Sequence, residues 1–151
     1  MNILQFHNVY LHPGGEDAVA VCEAMALRAA GHTVHTCTRA NVEMRNLSPL
    51  DKLRFYTRRI FFDPDIYRDV RQLIKDVKPD VAHIHNSFFI LGPAVYEACF
   101  DAGIPVVQTL HNYRFLCAAG TFYRKGAVCE ECLSSGRWAG VRHGCWRGRA
   151  Q

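Results

Sequence analysis

The chain has 151 residues, 49% of them apolar, and a formal net charge of +4, which suits one domain with a real core. It contains no apolar run of eighteen residues, and its start, MNILQFHNVY, lacks the charged beginning and cleavage site of an export signal. Both features read against a membrane span and give the expectation of a cytoplasmic protein. Seven cysteines in that setting argue against a disulfide framework, since cytoplasmic thiols are normally kept reduced.

The opening NILQFHNV is a short apolar run ending in the turn residues His12, Pro13, Gly14 and Gly15, as a buried parallel strand would end. From Glu16 to Ala30 an Ala-rich helix follows, with Val21, Met25 and Ala29 on one face and Gly31 as its stop. HTVHTCTR is the second strand. Residues 49–62 (PLDKLRFYTRRIFF) make a basic amphipathic helix with Leu50, Leu53, Thr57, Ile60 and Phe61 on one side and Lys52, Arg54, Arg58 and Arg59 around them. Such a helix either packs on the sheet or lies on an anionic membrane. Pro64 to Val77 is a further amphipathic helix, lined by Ile66, Val70, Leu73, Ile74 and Val77 and ended by Lys78-Pro79. VAHIHN is the third strand, PAVYEACFDAG a helix, and IPVVQTLHN the fourth strand. Helices alternating with buried strands imply a parallel α/β sheet covered on both faces. Beyond His111 the alternation stops, and residues 113–151 are rich in Gly, Cys and Arg.

In such a sheet, ligands sit beyond the carboxyl ends of the strands. Here those ends read HNVYLHPGGEDAV, HIHN and TLHNYRFLCAAGTFYRKGAVCEEC. The ordered set resembles the N-terminal, acceptor-side domain of family-4 GT-B glycosyltransferases of polysaccharide and glycolipid assembly, over Met1 to about Gly148. The resemblance implies a Rossmann-like sheet, incomplete relative to a whole GT-B half, in residues 1–112, and a Cys/Arg-rich loop or knuckle of the same domain in 113–151. It further implies a hexosyltransferase-type activity: retaining transfer from a nucleotide sugar to a glycan or lipid-linked acceptor. The donor is bound by a C-terminal domain of which nothing is matched here, so this part is expected to be inactive alone. The partners implied are that acceptor and a C-terminal donor domain or a homo-oligomer, with peripheral contact at the inner membrane face as an option.

Gly14-Gly15, between a strand and a helix N-terminus, offers unhindered N–H groups and the helix dipole to an anion. The resemblance puts this loop at the cleft; a tight turn is the plain alternative. Glu16 and Asp17 orient an acceptor hydroxyl or complement the first helical turn. His111 is the catalytic candidate, its matching histidine facing the cleft in the family, with Asn112 and Tyr113 beside it. His85-Asn86 repeats the His-Asn pair on the neighbouring strand, which favours one shared pocket. His7 and Asn8 are placed to join it, whereas His83 lies deeper in the sheet.

Cys117, Cys129, Cys132 and Cys145 are spaced C-x11-C-x2-C-x12-C, a pattern that suits a structural Zn site. His143 is an alternative fourth ligand, and a disulfide or free thiols remain open. Cys22, Cys37 and Cys99 read as buried apolar groups. Arg137, Arg142, Arg147 and Arg149 follow Glu131 with no acid among them. A basic end of this kind suits phosphate, an anionic surface or nucleic acid. Two further functions therefore stand beside the enzyme reading: a non-catalytic binding module of the same fold, and a zinc-knuckle nucleic-acid binder. The last is weakest, for want of aromatics along a basic stripe.

Overall fold

The computed structural model describes residues 1–9, 14–40, 48–88, 90–136 and 138–145. His12, Pro13, Arg137, Trp146, Arg147 and Arg149 lie outside them, as do the side chains of Lys52, Arg54, Arg59 and Ile60. The chain divides into two compact units, Met1–Thr109 and Leu110–Gln151.

The first unit is a four-stranded parallel sheet built from β1 (Asn2–Val9), β2 (Thr33–Ala40), β3 (Val81–Asn86) and β4 (Val106–Gln108), in the order β2-β1-β3-β4. Its helices are α1 (Gly15–Ala29), α2 (Pro49–Phe61), α3 (Pro64–Val77) and α4 (Ala94–Asp101). This is the parallel α/β, Rossmann-like architecture expected, with β4 confined to three residues where the apolar run had suggested nine. Thr109 extends the ladder by one bond, its N–H donating to the Ile84 carbonyl at 3.0 Å.

Alternation along the strands sorts the two faces. Leu4, Phe6, Ala82 and Ile84 point to one side, where Ile66, Val70 and Ile74 of α3 and Ala94, Val95, Ala98 and Cys99 of α4 complete the main core. Helix α3 is well specified for this. Asp63 caps it, accepting from the N–H groups of Asp65 and Ile66, Pro64 fills the first position, and Lys78 ends it in the left-handed region.

The opposite face is different. Among the described residues Ile3, Ala24 and Val34 form a small buried apolar patch there, with Leu27 and Val81 against it. The face of α1 turned to the sheet is thus Ala20, Ala24 and Leu27, and the expected stripe of Val21, Met25 and Ala29 is exposed. Alanines permit close seating of a helix on strands, so the smaller residues, and not the larger, mark the contact.

Helix α2 begins at Ser48, whose hydroxyl accepts from the Asp51 N–H. Phe55 packs against the main core, while Leu50, Leu53 and Phe61 are exposed. No helix among the described residues is long and apolar enough to cross a membrane.

The second unit holds a short antiparallel hairpin, β5 (Tyr123–Arg124) with β6 (Ala127–Val128), and two short helices, α5 (Glu131–Ser134) and α6 (Trp138–Arg142).

Candidate functional site

The connection from β1 to β2 carries α1 on one face, and those from β2 to β3 and β3 to β4 carry α3 and α4 on the other. The winding therefore reverses between β1 and β3. Beyond the carboxyl ends of two such strands, the connecting loops part and leave a crevice.

The residues at that point are polar and buried. His7 and Asn8 end β1, and His85, Asn86 and Ser87 end β3. A register shift between Phe6 and His7 sets His7 opposite Asn86. Asn86 fastens the two strand ends together: its amide donates to the Asn8 carbonyl at 3.0 Å, and its carbonyl oxygen accepts from the Phe88 N–H at 2.9 Å. The Asn8 amide donates in turn to the Phe88 carbonyl. Ser87 lies 3.2 Å from the Tyr96 hydroxyl, which donates to Gln108 at 2.6 Å.

Under α1 runs a second polar group. His7 Nε2 is 2.8 Å from Asp17 Oδ1, and the other Asp17 oxygen accepts from the Gly14 N–H at 2.6 Å. Burial alone would raise the Asp17 carboxyl, but the Gly14 N–H and His7 outweigh it and hold it below its ordinary value. Gln5 donates to the Ala20 carbonyl at 3.1 Å and sits 2.8 Å from His85 Nε2. The His85 side chain is 0% exposed, 3.3 Å from Glu23, with the His83 ring 4.3 Å away. His83 Nε2 lies 2.9 Å from the Thr109 hydroxyl.

Several expectations change here. His85 was expected to line the crevice; its ring instead lies beneath α1, because β3 turns the odd-numbered residues that way. Asn86 is engaged in holding the two loops. Asp17 serves the first helical turn and His7, the more modest of its two readings. Glu23, His83 and His85 bring ligand atoms within 4.8 Å of one another, a set that could take a cation. The contacts of Gln5 and Thr109 with the two imidazoles make it equally a hydrogen-bonded network.

Gly14 and Gly15 remain open to solvent, Glu16 beside them half-buried. Gly14 has an ordinary φ of −130°, and a Cβ on either glycine would meet nothing within 4 Å. Neither packing nor backbone geometry in the described chain requires glycine at these positions.

His111, Asn112 and Tyr113 belong to the second unit. His111 is half-buried. The Asn112 side chain accepts from the Arg114 N–H at 3.0 Å, and Tyr113 accepts from the Cys117 N–H at 2.8 Å while donating to Gly120 at 3.0 Å. Both residues thus shape the turn at Cys117. Cys117, Cys129, Cys132 and Cys145 line a cavity of about 10 Å³ together with Arg124, Glu131 and His143. Glu131 accepts from Arg124 at 2.6 Å and lies 2.6 Å from His143 Nε2; the His143 contact, then Arg124, hold its carboxyl below the usual range. Burial would raise the Cys117 thiol, but the backbone N–H groups of Phe122, Thr121, Ala119 and Gly120 bring it below its ordinary value.

A profile described as Glycosyltransferase Family 4 matches residues 13–130, more than half of the chain. The chain belongs to glycosyltransferase family 4. Among solved structures, the crystal structure of a UDP-GlcNAc 2-epimerase from Neisseria meningitidis bound to UDP-GlcNAc is similar at a TM-score of 0.47 and 17% identity. The similarity covers 77% of this chain and 34% of that one, so the family-4 chain spans about a third of that enzyme. No curated protein matches. The family match takes in Gly14-Gly15, the end of β3, His111 and Cys117 to Cys129, while Cys132 and Cys145 fall beyond it.

Sequence reasoning missed Gln5, Glu23, Ser87 and Tyr96 in the family-4 sheet, and Arg124 and Glu131 around the cysteines. Gln5 and His7 carried a signal: they share the parity of buried Ile3, so polar groups stand where an apolar strand face was due.

Proposed function

We propose that this family-4 chain is the acceptor-binding part of a retaining glycosyltransferase, acting with a donor-binding domain to move a sugar from a nucleotide sugar to a glycan or lipid-linked acceptor. The observation that carries the reading is the coincidence of the winding reversal with a glycine pair that the fold itself does not need. Although the Gly14 N–H is given to Asp17, a glycine pair at a helix N-terminus keeps the approach to its backbone clear of side chains for a sugar hydroxyl or an anion. Beside them, His7 Nδ1 is buried with no hydrogen-bond partner among the described residues, a cost of about 1–3 kcal/mol that a water or a ligand hydroxyl would relieve.

In this reading Gly14, Gly15 and Glu16 meet the ligand. Asp17, His85 and Asn86 position the elements that bear them. In the second unit, His111 with Asn112 and Tyr113 is a separate candidate for acceptor contact. Nothing among these groups forms a nucleophile and base pair, which accords with a transfer that relies on positioning. Peripheral membrane contact belongs to the same proposal, since Leu50, Leu53 and Phe61 are exposed on α2.

Glycan and lipid-phosphate arrays probed with the whole chain test this. Capture of a glycan or a polyprenyl-linked sugar, lost in Gly15→Trp, is expected. Capture that survives Gly15→Trp, or tight binding of nucleotide sugars by this chain alone, overturns it. Flotation with anionic and neutral vesicles tests the membrane contact, which lack of binding to both would remove.

A further inference from the structure

We propose that Cys117, Cys129, Cys132 and Cys145 together bind one zinc ion in a closed tetrahedral site, and that this ion is what holds the second unit folded. The proposal is independent of the acceptor reading above and concerns a different part of the chain.

The first argument is what the unit lacks. Among its described residues only Cys117, Gly120, Ala139 and Gly140 are buried. Its large apolar side chains face solvent instead, with Trp138 78% and Val141 69% exposed, and Tyr113, Leu116 and Leu133 more than half exposed. A segment of this size with two small buried apolar side chains cannot offset its own ordering entropy by burial, and units of that kind depend on cross-links or metals.

The second argument is where the cysteines stand. They come from three separate stretches: the turn after Tyr113, the end of the hairpin running into α5, with Cys129 before that helix and Cys132 inside it, and the residue that follows α6 and its turn. All four line one cavity of about 10 Å³. That is the volume of a single small sphere, which admits an ion or a water but no substrate. Because no three of the four sulfurs fall within 4.8 Å of one another, binding of an ion would draw them together.

The third argument is charge. The turn at Cys117 is closed by the Gly120 N–H, which donates to the Cys117 carbonyl at 2.9 Å, and it needs glycine because Gly120 has φ +78°. Arg124 lines the same cavity and is paired with Glu131 at 2.6 Å. Four thiolates in one cavity repel one another, and one guanidinium offsets a single charge. A dication bound directly to the sulfurs offsets two more, and zinc prefers four such ligands. Helix α6 packs closely against the site: a Cβ on Gly140 would lie 2.4 Å from the Ala118 Cβ and 3.8 Å from the Cys132 sulfur. A zinc ion held by four sulfurs has no open coordination position for a reacting molecule, so its role is structural.

The geometry also selects the fourth ligand. His143 Nε2 is 2.6 Å from Glu131 Oε2, and Glu131 in turn holds Arg124. The three side chains form a chain of contacts beside the sulfurs, with His143 in an outer, supporting position and Cys145 completing the set.

Metal analysis of the full chain, expressed with zinc and purified under reducing conditions, should give about one zinc per chain. Exchange with cobalt should give the intense sulfur-to-cobalt and visible bands of a tetrahedral thiolate site. Cys132→Ser should lose most of the metal, whereas His143→Ala should keep it with an unchanged cobalt spectrum. Chelation should expose residues 110–145 to limited proteolysis while the sheet stays resistant. If Cys132→Ser fails to fold, the cobalt spectrum of the unaltered chain decides alone. A zinc ratio near zero, an intact mass showing disulfides among these cysteines, or a cobalt spectrum without thiolate bands overturns the proposal. Loss of the cobalt bands in His143→Ala overturns the choice of Cys145.

Discussion

Replacing Asp17 by alanine is the sharpest test of how α1 is fixed. The substitution removes the acceptor of the Gly14 N–H at 2.6 Å and the partner of His7 at 2.8 Å. A lost N-terminal cap costs about 1 kcal/mol, and a hydrogen bond to a charged group in a mostly buried site contributes about 1.5–3 kcal/mol. With the Asp17 side chain 14% exposed, solvent screening is slight, and because the contacts share one carboxylate and are not additive, the loss falls below their sum, at about 2 kcal/mol. At roughly 4 °C per kcal/mol for a unit of this size, the Tm of the sheet unit should fall by about 8 °C at neutral pH. Asp17→Asn keeps an acceptor for Gly14 but not the charge, and should lose about half as much. The pH dependence has a definite sign. Because the folded carboxyl is held below its ordinary value, its stabilisation is complete above the unfolded pKa of about 3.9 and disappears as pH falls through the folded one. The gap between wild type and Asp17→Ala should therefore close in acid. Thermal unfolding followed by circular dichroism across pH measures it. A variant that melts with the wild type at neutral pH, or a gap that does not narrow on acidification, refutes this account of the α1 terminus.

Three other outcomes follow from the packing. Gly15→Ala should leave the fold unharmed or raise its stability by up to about 1 kcal/mol, since the added Cβ meets nothing and the position is helical; a substantial loss in thermal melting would show that the fold itself needs this glycine. Gly140→Ala should cost about 1–3 kcal/mol, because the new Cβ would sit 2.4 Å from Ala118, and proteolysis of the second unit should speed up accordingly. Among the thiols of the first unit, Cys22 is exposed and should react readily with a thiol reagent. Cys99, which burial pushes up to about 11, should stay unmodified until the protein unfolds; equal labelling of both would contradict their placement.

The strand and helix pattern was legible wherever burial is two-sided or strongly periodic. NILQFHNV, VAHIHN and Pro64 to Val77 have the same limits in the structure as in the sequence reading, because continuous apolar runs and a capped, Pro-led helix leave little choice. Helix α1 was legible as a helix but not in its orientation, since Ala20 and Ala24 carry no hydropathy contrast with the alanines around them. The same lack of contrast put Cys22 inside when it is exposed. For the site, sequence order indicated which strand ends matter but not which way each side chain turns. His85 and Asn86 are adjacent, so they point to opposite faces, and the one-residue irregularity at Phe6/His7 then decides what each opposes. The hairpin and short helices after His111 were illegible for another reason: no apolar period marks them, and among their described residues few side chains are buried.

The unequal faces of the sheet have a mechanical consequence. Helices α3 and α4 rest on an apolar surface, and apolar contacts are nearly indifferent to small translations. Helix α1 instead meets the sheet through Asp17 with His7 and the Ala20 carbonyl with Gln5. These contacts stand about one turn apart, and each is directional. Sliding α1 along the strands by even an ångström or two would break both together, with no intermediate setting in which they re-form. The seam acts as a detent: it indexes the start of α1, and with it the two glycines, to a single height above the end of β1.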